Sequence, residues 1–360
     1  MSRFAFWGPG QDDPTLDEFS QALKAEWARR GHALVEGEQP DAEVVFNFIN
    51  PQKPKPFRRR QRSTYVTIVH SLPESPDDVL RHEYALMVRG LANLGMVVVP
   101  GDACHFVTPE RGVYAVPDPG DLGQWVEAIV DRITPLATSR LVIDNRFDTD
   151  LEQDLWDGDE LTESLYEAGK RLDALGLLPA PFPLHEIVPE RELRAIKRIY
   201  GIGGLSYGNL SVRKDERRYW MSASGVDKSN LRIVGKDVLM VKDYEEDTGT
   251  MVLSVPPDIE PNRASVDAIE HWMIYQEHPD VNAIVHVHAW IPGIPATEFN
   301  YPCGTAELAF AVADIIRDEN TPSHAVVGLK NHGITVTGTS LEDIFSRIEP
   351  VIEVQVPMIA

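Results

Sequence analysis

Asn282-Ala283-Ile284-Val285-His286-Val287-His288-Ala289-Trp290 alternates in the manner of a β-strand. Ala283, Val285, Val287 and Ala289 fall on one face, and Ile284, His286, His288 and Trp290 on the other. Two imidazoles therefore leave the same side of a buried strand, two residues apart. Neutral imidazole is a good ligand for zinc and other borderline divalent metals, and this spacing lets both rings reach one ion. A His-x-His pair alone is more often two partly satisfied polar residues. Its meaning depends on what the rest of the chain sends to it.

The chain has 360 residues, enough for two domains with sizeable cores. Its 43 % hydrophobic and 25 % charged content is that of a soluble globular protein. A net charge of −22 argues against nucleic-acid partners and anionic membranes. A local positive pocket for a phosphorylated small molecule is still compatible with it. Cys104 and Cys303 are too few for a disulfide framework, and no Cys-x-x-Cys occurs. The opening Met1-Ser2-Arg3-Phe4-Ala5-Phe6-Trp7 lacks a signal peptide's apolar run, and no stretch approaches a membrane span. The expected compartment is the cytoplasm.

Residues 1–140 alternate strands and helices. Arg3 to Trp7 is a strand closed by Gly8-Pro9-Gly10. Leu16, Phe19, Leu23 and Trp27 give helical periodicity to Thr15–Arg30. Val44–Ile49, Tyr65–His70 and Met96–Val99 read as buried strands, and Asp77–Leu94 and Gly123–Ile133 as helices. The pattern predicts a Rossmann-like α/β domain. No Gly-x-Gly-x-x-Gly or Walker loop is present, so Gly8-Pro9-Gly10 reads as a tight turn. The basic run from Lys53 to Arg62 reads as a solvated loop, with an anion-binding lid or a subunit contact as the sharper alternative. Residues 141–159, with Asp144, Asp148, Asp150, Glu152 and Asp154, read as a solvated acidic linker, because calcium-loop spacing is missing.

Residues 160–360 carry the chemistry. Glu160–Ala174 is an amphipathic helix, a Pro-rich break follows to Leu184, and Glu190–Tyr200 is helical. Gly203 to Arg213 is a glycine-rich turn entering a strand, and Tyr219 to Val226 a strand ending in small residues. Such turns expose backbone N–H groups that suit an anion. Ser265 is placed to cap a helix running to His278, with Asp267 and His271 on one of its faces. Asn331-His332-Gly333 interrupts a strand, so His332 can leave the sheet toward the first pair.

Six pieces in this order resemble the class II aldolase/adducin family: Gly208-Asn209-Leu210-Ser211-Val212-Arg213, Ser222-Ala223-Ser224-Gly225, Ser265-Val266-Asp267, His286-Val287-His288-Ala289, Gly304-Thr305-Ala306-Glu307-Leu308-Ala309 and Asn331-His332-Gly333. The resemblance covers about residues 160 to 350. It implies an α/β/α fold with a mostly antiparallel central sheet, in a homotetramer. It implies zinc, or another divalent metal such as iron or manganese, on His286, His288 and His332. Asn209, Ser224, Gly225 and Ser265 would line an anion pocket. Asp267 occupies the family's carboxylate slot, where aldolases carry Glu and epimerases Asp. Tyr301 lies near the position of an aldolase proton donor.

Three imidazoles leave open positions on an ion. A substrate with adjacent carbonyl and hydroxyl oxygens can chelate there, and a Lewis acid stabilises the enediolate left when a carbon–carbon bond breaks. Asp267 would shuttle the proton, while His271 has a supporting role outside the ligand set. The expectation is a metal-dependent lyase acting on a small hydroxy-carbonyl or sugar-phosphate-like substrate. Epimerase, dehydratase and decarboxylase chemistry fit the same site. A mononuclear iron oxygenase and a non-catalytic adducin-like module are the readings from other classes. Departures from the family pattern bear on substrate: Val266 replaces a second Ser, and Ser222 stands where epimerases place Lys. Only 15 residues separate His288 from Gly304, about Leu184–Ile202 is an insertion, and little chain follows Glu349 to close the site.

Overall fold

The computed structural model describes residues 2–8, 13–38, 40–61, 63–108, 112–178, 189–190 and 208–358. The expected helix after Glu190, the insertion around Leu184–Ile202 and the Gly203–Tyr207 turn lie almost wholly outside them. The main bodies of two compact units are residues 2–139 and residues 140–178 with 208–357. The described residues form a mixed α/β structure with two sheets.

In the first unit, β1 (Arg3–Trp7), β2 (Ala33–Leu34), β3 (Val44–Phe48), β4 (Tyr65–Ser71) and β5 (Leu94–Val99) are parallel, in spatial order β2-β1-β3-β4-β5. β6 (Ala103–Val107) and β7 (Val113–Pro117) extend the sheet antiparallel. Helix α1 (Pro14–Arg29) buries Leu16, Phe19, Leu23 and Trp27 with Trp125, Ile129 and Ile133 of α3 (Leu122–Ala137), in one cluster that includes Phe4, Phe46 and Phe48. On α2 (Val79–Gly90), Leu86 and Met87 pack with Ile68 in a separate cluster. The expected helix to Leu94 is too long. Leu91 takes a left-handed conformation, φ 57°, which ends the helix, and Leu94 opens β5.

The second sheet runs β14 (Val326–Leu329), β15 (Gly333–Gly338), β13 (Ala283–Val287), β9 (Asn209–Arg213), β10 (Tyr219–Ser222), β11 (Val238–Glu245), β12 (Thr250–Ser254), β8 (Asp144–Asp148). Neighbours are antiparallel except β12 and β8. Strand β8 corrects the reading of residues 141–159 as a solvated linker. Acidic side chains of β8 and of the residues after it meet cations from distant parts of the chain: Lys242 Nζ reaches Asp148 at 2.8 Å and Asp150 at 2.5 Å, and Arg218 reaches Glu152 at 2.6 Å.

Alternation along β13 sorts its residues into two cores. Ala283, Val285, Val287 and Ala289 pack with Leu165 and Leu172 of α4 (Glu160–Ala174) and with Ile344 and Phe345 of α7 (Leu341–Ile348). Ile284 belongs to the other cluster, with Trp272 and Tyr275 of α5 (Ala268–Glu277) and Leu308 and Val312 of α6 (Ala306–Asp318). Helices thus cover both faces of this sheet. His286 shares the α5 side with Ile284. Among the described residues, no helix is long and apolar enough to cross a membrane.

Candidate metal centre and anion pocket

His286 sits in β13 directly between Asn209 of β9 and Thr335 of β15. His288 follows just beyond the strand. His332 comes from the turn joining β14 to β15, where Asn331 adopts φ 57°. Gly333 makes that approach possible, since a Cβ there would collide with the carbonyl oxygen of Val287. The three rings have centroids 4.8 to 5.2 Å apart, and their donor atoms lie within 4.8 Å of one another.

The donor set fits a divalent ion. His286 Nδ1 lies 3.1 Å from the Ile334 carbonyl oxygen and is protonated when it donates there, which leaves Nε2 as a lone-pair nitrogen. That Nε2 is buried and has no hydrogen-bond partner, as is Nδ1 of His332. His288 Nε2 and His332 Nε2 are 3.2 Å apart. Two nitrogens on one tetrahedral zinc, with bonds of about 2.0–2.1 Å, stand about 3.3 Å apart. Burial lowers the pKa of His286, and burial together with the neighbouring His286 drives that of His332 well down; both shifts favour the neutral imidazole that ligation requires.

Asp267 lies close enough for its charge to act on His286. It is 4 % exposed, and its Oδ2 accepts a 2.7 Å hydrogen bond from Asn209 Nδ2. Its Oδ1 is buried without a hydrogen-bond partner. The expected cap, Ser265, does not start α5. Asp267 is the N-cap residue and makes no side-chain cap bond, so its carboxylate is directed elsewhere. His271 stays outside the triad, its Nδ1 2.7 Å from Ser211 Oγ, with its pKa lowered to about 3 by burial and then by His286.

Ser224 and Ser265 come from turns laid side by side. Ala223 and Ala264 form a bridge, and the Ser224 N–H donates to the Arg263 carbonyl at 2.8 Å. Gly225, φ 70°, follows in the first turn. Tyr301 is not joined to the imidazoles by any recorded hydrogen bond or ring contact among the described residues; its ring lies 5.8 Å from Phe299.

Three further residues escaped sequence reasoning. Cys303 Sγ is 3.3 Å from His332 Nε2. Lys228 is 2 % exposed, and burial lowers its pKa to about 8 against the pull of Asp267 and Asp227. Glu270 is 2 % exposed and accepts a 2.5 Å bond from the Thr335 hydroxyl. Burial, then the charge of Asp267, pushes its pKa up to about 8. Only Lys228 had a local signal, since it follows Gly225 by three residues in a small-residue turn.

Residues 194–292 match the model of the class II aldolase and adducin N-terminal domain. The chain is 28 % identical over 174 residues to a 3-oxo-tetronate 4-phosphate decarboxylase of Haemophilus influenzae, covering 42 % of this chain and 76 % of that protein. It is 34 % identical over 87 residues to a methylthioribulose-1-phosphate dehydratase of Enterobacter sp., covering 22 % of this chain and 34 % of that protein. An L-fuculose phosphate aldolase of Methanocaldococcus jannaschii is 27 % identical over 180 residues, 44 % of this chain and 85 % of that protein. The solved l-fuculose-1-phosphate aldolase from Thermus thermophilus aligns at 19 % identity over 52 % of this chain and 87 % of that one, with a TM-score of 0.34. These relatives are enzymes that process small molecules. The chain thus carries, at residues 194–292, a match to the class II aldolase and adducin N-terminal domain, and the proteins it is similar to include an aldolase, a dehydratase and a decarboxylase.

Proposed function

We propose that the second unit is a divalent-metal-dependent lyase that breaks or makes a carbon–carbon bond in a small hydroxy-carbonyl compound bearing an anionic group. One observation carries this reading: imidazoles 44 residues apart, His288 and His332, meet with ring nitrogens at 3.2 Å beside the partnerless Nε2 of His286. His286, His288 and His332 hold the ion, zinc being the natural match for three imidazoles. When bound, the ion acts as a Lewis acid toward the substrate's adjacent carbonyl and hydroxyl oxygens.

Asp267 takes or returns the proton at the substrate carbon next to that carbonyl. Asn209 fixes Oδ2 and leaves Oδ1 as the atom that moves the proton. Ser224, Gly225 and Ser265 supply short donors to the substrate's anionic end, and the Lys228 ammonium supplies charge that Ser222 does not. Tyr301, partly buried on the segment between β13 and α6, is proposed as the acid for the departing fragment. Phosphorylated substrates of the named relatives support an anionic group. Val266, Phe299 and Phe310 expose large apolar side chains, which supports a homo-oligomer.

The test is product analysis on a panel of phosphorylated and free ketoses, tetronates and their hydroxy-acid relatives. The expected result is two carbonyl fragments from one substrate, abolished by chelator and by Asp267→Asn. Loss of water, loss of carbon dioxide or a stereoisomer without fragments would move the assignment to dehydratase, decarboxylase or epimerase. No turnover with any of them would contradict the lyase reading.

A further inference from the structure

A second group of metal-ligand side chains lies in the first unit, among residues that the proposed function does not use. His70 is the next-to-last residue of β4, and His82 and Glu83 are consecutive on α2. One donor atom from each lies within 4.8 Å of the others. His70 Nε2 and Glu83 Oε2 are already 2.7 Å apart, both side chains almost fully buried.

That contact satisfies only part of the group. His70 Nδ1, His82 Nε2 and Glu83 Oε1 are all buried with no hydrogen-bond partner. A buried histidine–carboxylate pair serving packing alone would not leave an orphaned polar atom, of the type that ligates metal, on each of three neighbouring side chains. The neighbouring strand is also shaped for the carboxylate. Gly95 of β5 lies under Glu83, and a Cβ there would collide with the Glu83 side chain and its carboxylate oxygen. His82 is less buried than the other two, which gives the group an edge toward solvent.

We infer that His70, His82 and Glu83 form a second divalent-cation site, built from two imidazoles and one carboxylate. Two nitrogens and one oxygen suit a borderline ion such as zinc, and three protein ligands leave one position for water or an exogenous ligand. The site stands independently of the reading given to His286, His288 and His332.

The test strips the full chain with chelator and titrates it with Zn2+, counting bound ion per chain by elemental analysis after gel filtration. The expected count is two. His82→Ala and Glu83→Gln should each remove one equivalent while His286→Ala/His332→Ala removes the other. Melting of the metal-free proteins distinguishes loss of a ligand from loss of the fold, and the less buried His82 is the variant least disruptive to packing. A count of one in the parent that His286→Ala/His332→Ala abolishes, or two that survive His82→Ala and Glu83→Gln in folded protein, overturns the inference. A count that falls only with His82→Ala and Glu83→Gln sustains it and removes the reading of the other centre.

Discussion

Glu270 shows how far a single buried group departs from what its local sequence suggests. On α5 it looks like an ordinary helix carboxylate, yet burial and the charge of Asp267 raise its pKa to about 8. The folded chain therefore prefers the protonated acid. Its contribution to stability is complete below the ordinary carboxyl value of 4.5 and is lost as pH rises toward about 8. In metal-free protein, urea midpoints measured across that window should fall with pH, and Glu270→Gln should flatten the fall. Parallel curves for parent and variant would refute the assignment. Cys303 was unreadable for the same reason: its environment is assembled by residues far away in the chain, and only its contact with His332 distinguishes it from a surface Cys.

Elements with a strong internal period were legible. β13 could be read because both of its faces are buried, so its alternation sorts residues between two cores. α1 could be read because Leu16, Phe19, Leu23 and Trp27 mark one face. The meeting of His286, His288 and His332 follows from two such signals, a strand bearing two imidazoles and a glycine that lets the next strand close in. β8 was illegible, because its own carboxylates and those just after it resemble a solvated run until Lys242 and Arg218 are placed beside them. The end of α2 was missed because the apolar pattern runs on into β5. Ser265 was misplaced as a cap because it lies two residues before the true N-cap, Asp267, and the helix begins at Ala268. Helix α7 supplies the element-scale prediction. Phe345 is 1 % exposed against the β13 face, so Phe345→Ala should cost about 3–5 kcal/mol in denaturant unfolding. A loss under about 1 kcal/mol would mean that α7 does not seal that core.

At the scale of the molecule, two units with separate cores share one chain, and the −22 net charge sets them both in an acidic field. That field favours cations at any preformed donor set. An ion bound by the folded chain alone stabilises it by mass action. The account's central claim is that three distant imidazoles hold one ion, and the most direct measurement is metal content of the purified full chain beside His286→Ala, His288→Ala and His332→Ala. The account predicts that each folded variant carries one equivalent less than the parent. Equal metal in the parent and all three variants would contradict it.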